Sequence, residues 1–512
     1  MSTAHAAATE DENSALRIST VVGTGAAGPP KGEKEPAVSA QVNLPNGVAV
    51  DSSGTLYIAD SGNHRVRKMT TDGKVSTVAG TGVAAFGGDG GSAVSAQLNY
   101  PRAVAVDSAG DLYIADSGNH RVRKVTRADG KISTVAGTGA GAFGGDGGLA
   151  TAARLSGPFA VAVDSAGDLY IADYYNHRVR KVTRADGKIS TVAGTGAGAF
   201  GGDGGLATAA QLKSPFGVAV DGAGDLYITD SGNHRVRKVT RADGKISTVA
   251  GTGVAAYGGD GGLATAAQLN LPMSLVVDSA GTLYVSEWSS HRVRKLTADG
   301  KISTVAGTGA AAFGGDGAPA VSAQLKNPSG LAVDCVDTLY IVDHGNSRIR
   351  KVASARTAGL PESGTVVSWA SVRSRLRMAV VRESIADGAE IHQALTVPRD
   401  HQRWRMVAAG QDNGDVLYRI ENVRSGKVLE VVGAQEAAGA MVAQREYEGP
   451  DAHHQQWRLI PVGSVTDSPR VYEIANRNSG LLLGVDTNAR AAIRQDGAEG
   501  DQRGRQWQLL PV

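Results

Sequence analysis

A twelve-residue phrase, Tyr57-Ile-Ala-Asp-Ser-Gly-Asn-His-Arg-Val-Arg-Lys68, returns in close copies through the first two thirds of the chain. Its tyrosine recurs as Tyr113, Tyr170, Tyr227, Tyr284 and Tyr340, always 56 or 57 residues on. A second marker keeps step with it. The aspartate that closes a Val-Ala-Val-Asp-type phrase falls at Asp51, Asp107, Asp164, Asp221, Asp278 and Asp334. Two markers in register over six copies require a fold built from one repeated unit.

Each unit reads as four short strands. In the third copy they span 159–164, 169–173, 177–183 and 189–193, rich in Val, Ile and Tyr and separated by Gly/Asp turns. Strand-length periodicity excludes a helical solenoid, and near-identical four-stranded units repeated radially make an all-β propeller. Closure can be counted. Copies one to five are each followed by a fourth strand of the Ser-Thr-Val-Ala-Gly type, and the sixth is not. The missing strand stands at the front, as Ile18-Ser-Thr-Val-Val22. Six blades are therefore expected, with the N-terminal strand completing the blade of residues 326–354 and removing two sheet edges. Residues 1–17 are expected to be a flexible N-terminus, 18–354 the propeller and 355–365 a linker.

Glycine, 69 of 512 residues, is explained by the same repeat. It concentrates in the turns and in a Gly-Thr-Gly-x-x-x-Phe-Gly-Gly-Asp-Gly-Gly connection between units, where the chain needs positive φ or close backbone approach. That connection runs into an Ala-rich segment ending in Ala-Gln-Leu, read as one helical turn. Its aspartates (Asp89, Asp146, Asp203, Asp260 and Asp316) lack the alternating oxygen ligands of a calcium loop and are read as turn-stabilising. The glycines lack the GK[ST] of a phosphate loop. The paired arginines of each copy, such as Arg121 and Arg123, sit beside aspartates at the ends of the first two strands, which suggests a blade-to-blade ionic network. His64, His120, His177, His234 and His291 are read as turn residues.

A net charge of +2 gives no bulk electrostatic case for nucleic-acid binding, and none is expected. Cys335, the single cysteine, excludes an intrachain disulfide framework. No 18-residue apolar run and no secretory signal is visible, so the expectation is a cytoplasmic, monomeric chain without a membrane span. A misassigned start would hide an export sequence and leave secretion open.

In a repeat, residues shared by every copy serve the repeat, and ligand specificity must come from the breaks. The residue after the proline that precedes strand one varies: Asn46, Arg102, Phe159, Phe216, Met273 and Ser329. In the loop after strand two, Ser-Gly becomes Tyr174-Tyr175 in copy three, Trp288 enters in copy five and His344 in copy six. Both positions belong to one face of the ring. Arg102, Phe159, Tyr174, Tyr175, Phe216, Met273 and Trp288 are thus candidates for a propeller-face ligand or protein partner. The alternative is that Phe159, Phe216 and Met273 only pack beneath the long connections. No nucleophile with a base, no catalytic carboxylate pair and no metal motif stands out, so neither catalytic residues nor a metal or cofactor is expected. The repeated Tyr-Ile-Ala-Asp-Ser-Gly-Asn-His-Arg-Val-Arg-Lys phrase resembles NHL-repeat propellers. The resemblance implies a binding scaffold, similar in architecture to lactonase-type and lyase-type enzymes.

Beyond the linker the period changes. Gln402-Arg403-Trp404, Gln455-Gln456-Trp457 and Arg505-Gln506-Trp507 mark three units with spacings of 53 and 50 residues. Each is preceded by a strand ending in glutamine, at Gln393, Gln444 and Gln495. One tryptophan per unit at a fixed place suits a threefold hydrophobic centre, and residues 366–512 read as a β-trefoil. They resemble the ricin B-type lectins with QxW repeats, although the third copy has Arg505 in place of Gln. The resemblance implies a sugar site per unit, made of an acidic acceptor, a polar side chain before the QxW and a stacking ring. The acidic position is Ala379, Glu430 and Gly484 in turn, with Asp486 two residues beyond the last. The polar position is His401, His454 and Gly504. Unit two is the best match, giving Glu430, Gln444, Tyr447 and His454 as carbohydrate-binding candidates.

Three functions stay open at this point. One is a non-enzymatic protein that binds carbohydrate or a glycoconjugate through the trefoil and a second ligand through the propeller. Another is a protein–protein scaffold with a degenerate lectin domain. The last is a lyase-like or lactonase-like enzyme at the propeller mouth with a sugar-targeting module.

Overall fold

The computed structural model describes residues 16–28, 35–51, 53–70, 73–278, 280–334, 337–354, 363–371, 377–394, 400–412, 415–437, 440–462, 471–479, 481–484, 493–496 and 506–511. Cys335, Asp486, Gly504 and Arg505 lie outside these residues, as do most of 1–17 and 355–365. The chain divides into two compact units, Met1–Ala355 and Arg356–Val512.

The first unit is a ring of six four-stranded antiparallel sheets. The third blade shows the pattern: Pro158–Val163, Leu169–Asp173, Arg178–Val182 and Ile189–Ala193. Alternation sends Val161, Leu169, Ile171, Val182 and Ile189 into a core shared with the preceding blade. That sharing is why one blade alone has no complete core. The sixth blade is composite, as the strand count requires. Leu16–Val22 pairs antiparallel with Arg348–Ser354, and Ile18 and Val22 are fully buried.

Each inter-blade connection first runs along the outer strand of the next blade. The Gly90 N–H donates to Ile132 at 2.8 Å and the Ala93 N–H to Gly130 at 2.9 Å. It then forms a single 3₁₀ turn, Ala93–Ser95 in this copy, before crossing to the centre. Gly137 illustrates the need for glycine. It holds φ +93°, and a Cβ there would lie 2.3 Å from the His120 carbonyl.

The second unit is a closed β-barrel of the β-trefoil type. Its long hairpin Trp404–Asp412 with Asp415–Asn422 and the pair Trp457–Val462 with Val471–Asn476 repeat one element in successive units. Trp404, Trp457 and Trp507 are fully buried. Their indole N–H groups donate to the carbonyls of Met378 at 3.1 Å, Leu429 at 2.9 Å and Leu483 at 2.8 Å. The same donor meets the equivalent acceptor in all three units, so burying each indole leaves no orphaned N–H.

Candidate functional site

The arginines of the repeat divide by position. In the second blade, Arg123 is fully buried and contacts Asp116 of its own blade at 3.4 Å and Asp89 of the incoming connection at 2.6 Å. Thr134 of the outer strand donates to the other Asp89 oxygen at 2.7 Å. Arg180, Arg237 and Arg350 repeat this bridge to Asp146, Asp203 and Asp316, each at 2.6 Å. Arg294 bridges Glu287 and Asp260 in the same way. The connection aspartates are therefore ion-pair partners rather than local turn stabilisers, because the connection folds back over the next blade. The first-strand aspartates do the opposite. Asp107 accepts from the Ala109 and Asp111 N–H groups at 3.0 and 2.9 Å, closing its own hairpin turn. The other arginine of each pair is engaged as well: Arg121 lies 3.7 Å from the Phe86 ring centroid and donates to Thr138 at 2.6 Å.

The five repeated histidines join blades. His120 has φ +54°, and its Nδ1 accepts the Gly157 N–H of the next blade at 3.0 Å. His64, His177, His234 and His291 accept from Tyr100, Ser214, Leu271 and Asn327 at 3.0–3.2 Å. Burial pulls all five below the ordinary histidine pKa. The residues they hold also sit at positive φ, so each histidine secures a strained loop at the mouth.

On that face the structure gathers most of the candidates. Phe159 stacks on Tyr174 at 4.0 Å and meets Phe216 edge-on at 5.1 Å and Tyr175 at 5.6 Å. The Arg102 guanidinium lies 4.1 Å from the Phe159 centroid. Tyr175 is 59% exposed, whereas Phe159 and Phe216 are buried. Trp288 falls outside this cluster and packs on His344 at 4.8 Å. Met273 is half-buried, and its carbonyl accepts from Thr229 at 2.7 Å. Tyr100 joins the patch, with Arg102 at 5.0 Å from its ring. Its signal was present in the sequence, because the residue before the proline also breaks the repeat. Asn46, Arg102, Phe159 and Phe216 line a central cavity of about 80 Å³.

In the second trefoil unit, Glu430 is buried and accepts from Arg445 Nε at 2.8 Å. Gln455 Nε2 donates to its other oxygen at 3.4 Å. His454 Nε2 lies 3.6 Å from Glu430 and 3.7 Å from Glu448. Among the described residues these two glutamates and His454 bring ligand atoms within 4.8 Å of one another and are the set able to hold a metal, although Arg445 already neutralises Glu430. Gln444 is buried. Its amide donates to Ser384 and Ala386, both at 3.0 Å, and accepts from Ser425 at 2.7 Å. It braces its own hairpin against the preceding unit. Tyr447 carries Arg419 over its ring at 4.7 Å. In unit one Ala379 offers no acid, and His401 is buried 3.8 Å from Glu383.

Residues 42–69, 98–125, 155–182 and 212–239 match the NHL repeat, and 263–353 match the teneurin NHL domain. Residues 356–445 and 400–498 match the ricin-type beta-trefoil lectin domain-like family. NHL repeat-containing protein 2 of Homo sapiens is 29% identical over 308 residues, covering 54% of this chain and 42% of the relative. Teneurin-1 of Gallus gallus is 30% identical over 288 residues, covering 49% of this chain and 10% of the relative. The chain thus spans less than half the length of either relative. A structural genomics protein of unknown function from Bacteroides thetaiotaomicron VPI-5482 shares the fold at 21% identity and TM-score 0.50, over 66% of this chain and 76% of that one. The chain is built from NHL repeats closed into a six-bladed propeller, followed by a ricin B-type lectin-like domain of the β-trefoil type.

Proposed function

We propose that this chain is a non-enzymatic binding protein that takes carbohydrate at the second trefoil unit, while the propeller offers a separate face to a ligand or protein partner. The observation that carries this reading is the layering around Glu430. Arg445 and Glu448 reach solvent, with side chains 41% and 51% exposed, and His454 keeps 17%. Sugar hydroxyls both donate and accept, so a guanidinium, a carboxylate and an imidazole on one rim match them. Glu430 sits behind as the charge that orients Arg445, and Tyr447, two residues along the chain from Arg445, is the ring proposed to stack on the sugar. Gln444 supports the hairpin. Protein binding by a degenerate trefoil is the competing reading, supported by the lack of an acid at Ala379 in unit one.

A glycan array probed with the full chain tests this. Wild type is expected to select a defined group of glycans. Glu448→Ala and His454→Ala should each weaken that signal roughly tenfold, the loss of one charge-assisted contact. Glu430→Gln should weaken it through a loosened Arg445. Unchanged binding in folded Glu448→Ala and His454→Ala variants would sink the site, and a blank array for wild type would favour the protein-binding reading.

A further inference from the structure

The six positions after the first-strand proline, one per blade, divide the mouth of the propeller into two halves. Blades three to five present Phe159, Phe216 and Met273, and blades six, one and two present Ser329, Asn46 and Arg102. Two groups on the polar half lack acceptors among the described residues. Asn46 is 3% exposed, and its buried Nδ2 has no hydrogen-bond partner among the described residues. Arg102 lies half-buried against Phe159 and Tyr100, and no carboxylate among the described residues pairs with it. This contrasts with Arg123, Arg180, Arg237, Arg294 and Arg350, each of which bridges two carboxylates. Asn46 and Arg102 occupy equivalent places on adjacent blades and line the same cavity as Phe159 and Phe216.

We propose that the propeller mouth binds a carboxylate attached to an apolar, preferably aromatic, body. The carboxylate sits on Arg102 and Asn46, and the body rests against Phe159 and Phe216, which line the same cavity. One guanidinium fork and one amide supply the charge and the donors that a monoanion needs. A phosphate dianion would ask for more of both. A cavity of about 80 Å³ admits the head of such a ligand, and the exposed ring of Tyr175 meets Phe159 edge-on at 5.6 Å. A free aryl-alkanoic acid and the C-terminal residue of a peptide share this chemistry.

Calorimetric titration of the full chain distinguishes the two sources. The probes are 3-phenylpropionate, 3-phenylpropionamide, and the peptide Gly-Gly-Phe with a free or an amidated C-terminus. At least one free carboxylate is expected to bind saturably, and at least tenfold tighter than its amide. The tighter of the two acids identifies the source. Arg102→Gln should remove at least tenfold of that affinity and Asn46→Leu at least threefold, with melting temperature and far-ultraviolet circular dichroism checked for each. If Arg102→Gln does not fold, Asn46→Leu decides. Equal binding of acid and amide, no saturable binding of either acid, or unchanged affinity in the folded variants would overturn the proposal. Trefoil variants such as His454→Ala should leave this binding untouched.

Discussion

Arg180 shows how a residue can be conspicuous in sequence while its partners stay hidden. It is fully buried between Asp173 and Asp146, at a site where an unpaired charge would be expensive. Asp173 lies seven residues away on the adjacent strand, diagonal to Arg180, because the register sets Asp173 against Arg178 and Ile171 against Arg180. Asp146 lies 34 residues away, in a connection whose path no local pattern specifies. Replacing Arg180 with Met removes the cation and leaves two carboxylates facing an apolar side chain. The expected loss is about 3–5 kcal/mol of propeller stability, read by urea denaturation. A loss below about 1 kcal/mol would mean that the bridge is solvated and contributes little. The mouth candidates divide in the same way. Phe159 and Tyr174 come from two repeat breaks 15 residues apart and stack because both positions open on one face. Arg102 was recognisable as a break, but its lack of a carboxylate partner among the described residues is set by how the blades pack around it.

At the scale of elements, the composite blade was legible by counting strands, and the hydrogen-bonded register confirms it. Its energetic role rests on Ile18 and Val22, both fully buried. Each such side chain stabilises the ring by about 1.5–3 kcal/mol when withdrawn from water. Deleting residues 1–22 should therefore lower the propeller melting temperature and expose the edge of Arg348–Ser354. Bare edges pair with other chains, so concentration-dependent association is expected by light scattering. A truncated chain that stays monodisperse with an unchanged melting temperature would show that this strand does not lock the ring. In the trefoil, the tryptophan of each unit signalled the threefold core. The bracing role of Gln444 was not readable, because its acceptors at Ser384 and Ala386 belong to the preceding unit.

For the whole molecule, five histidines that accept hydrogen bonds across blade boundaries make the propeller a sum of joints with one shared pH dependence. Their folded pKa values lie below the ordinary 6.5 because burial disfavours the cation. A protonated Nδ1 cannot accept the bond from the next blade. The stabilisation is present above about pH 6.5, the unfolded histidine value, and is lost as pH falls through the lower folded values. Asp60 and Asp116 act in the opposite direction, since burial raises each to about 6. Their contribution is greatest at low pH and declines as pH rises through 6. A histidine variant separates the two effects. His120→Asn and His177→Asn together should flatten the fall in stability between pH 6.5 and 5 relative to wild type, measured by denaturation at each pH. An identical slope would remove the histidines from the acid response.

Sequence alone determined the number of blades, the closing strand and the change to a threefold unit, because repeats impose periodicity and each period is local. It also marked where the repeat breaks. Tertiary structure decided what those breaks amount to. Ring closure and the crossing of each connection onto the next blade bring together residues tens to hundreds of positions apart. Burial then determines whether a charge such as Arg180 is matched or, like Arg102, is left facing a cavity.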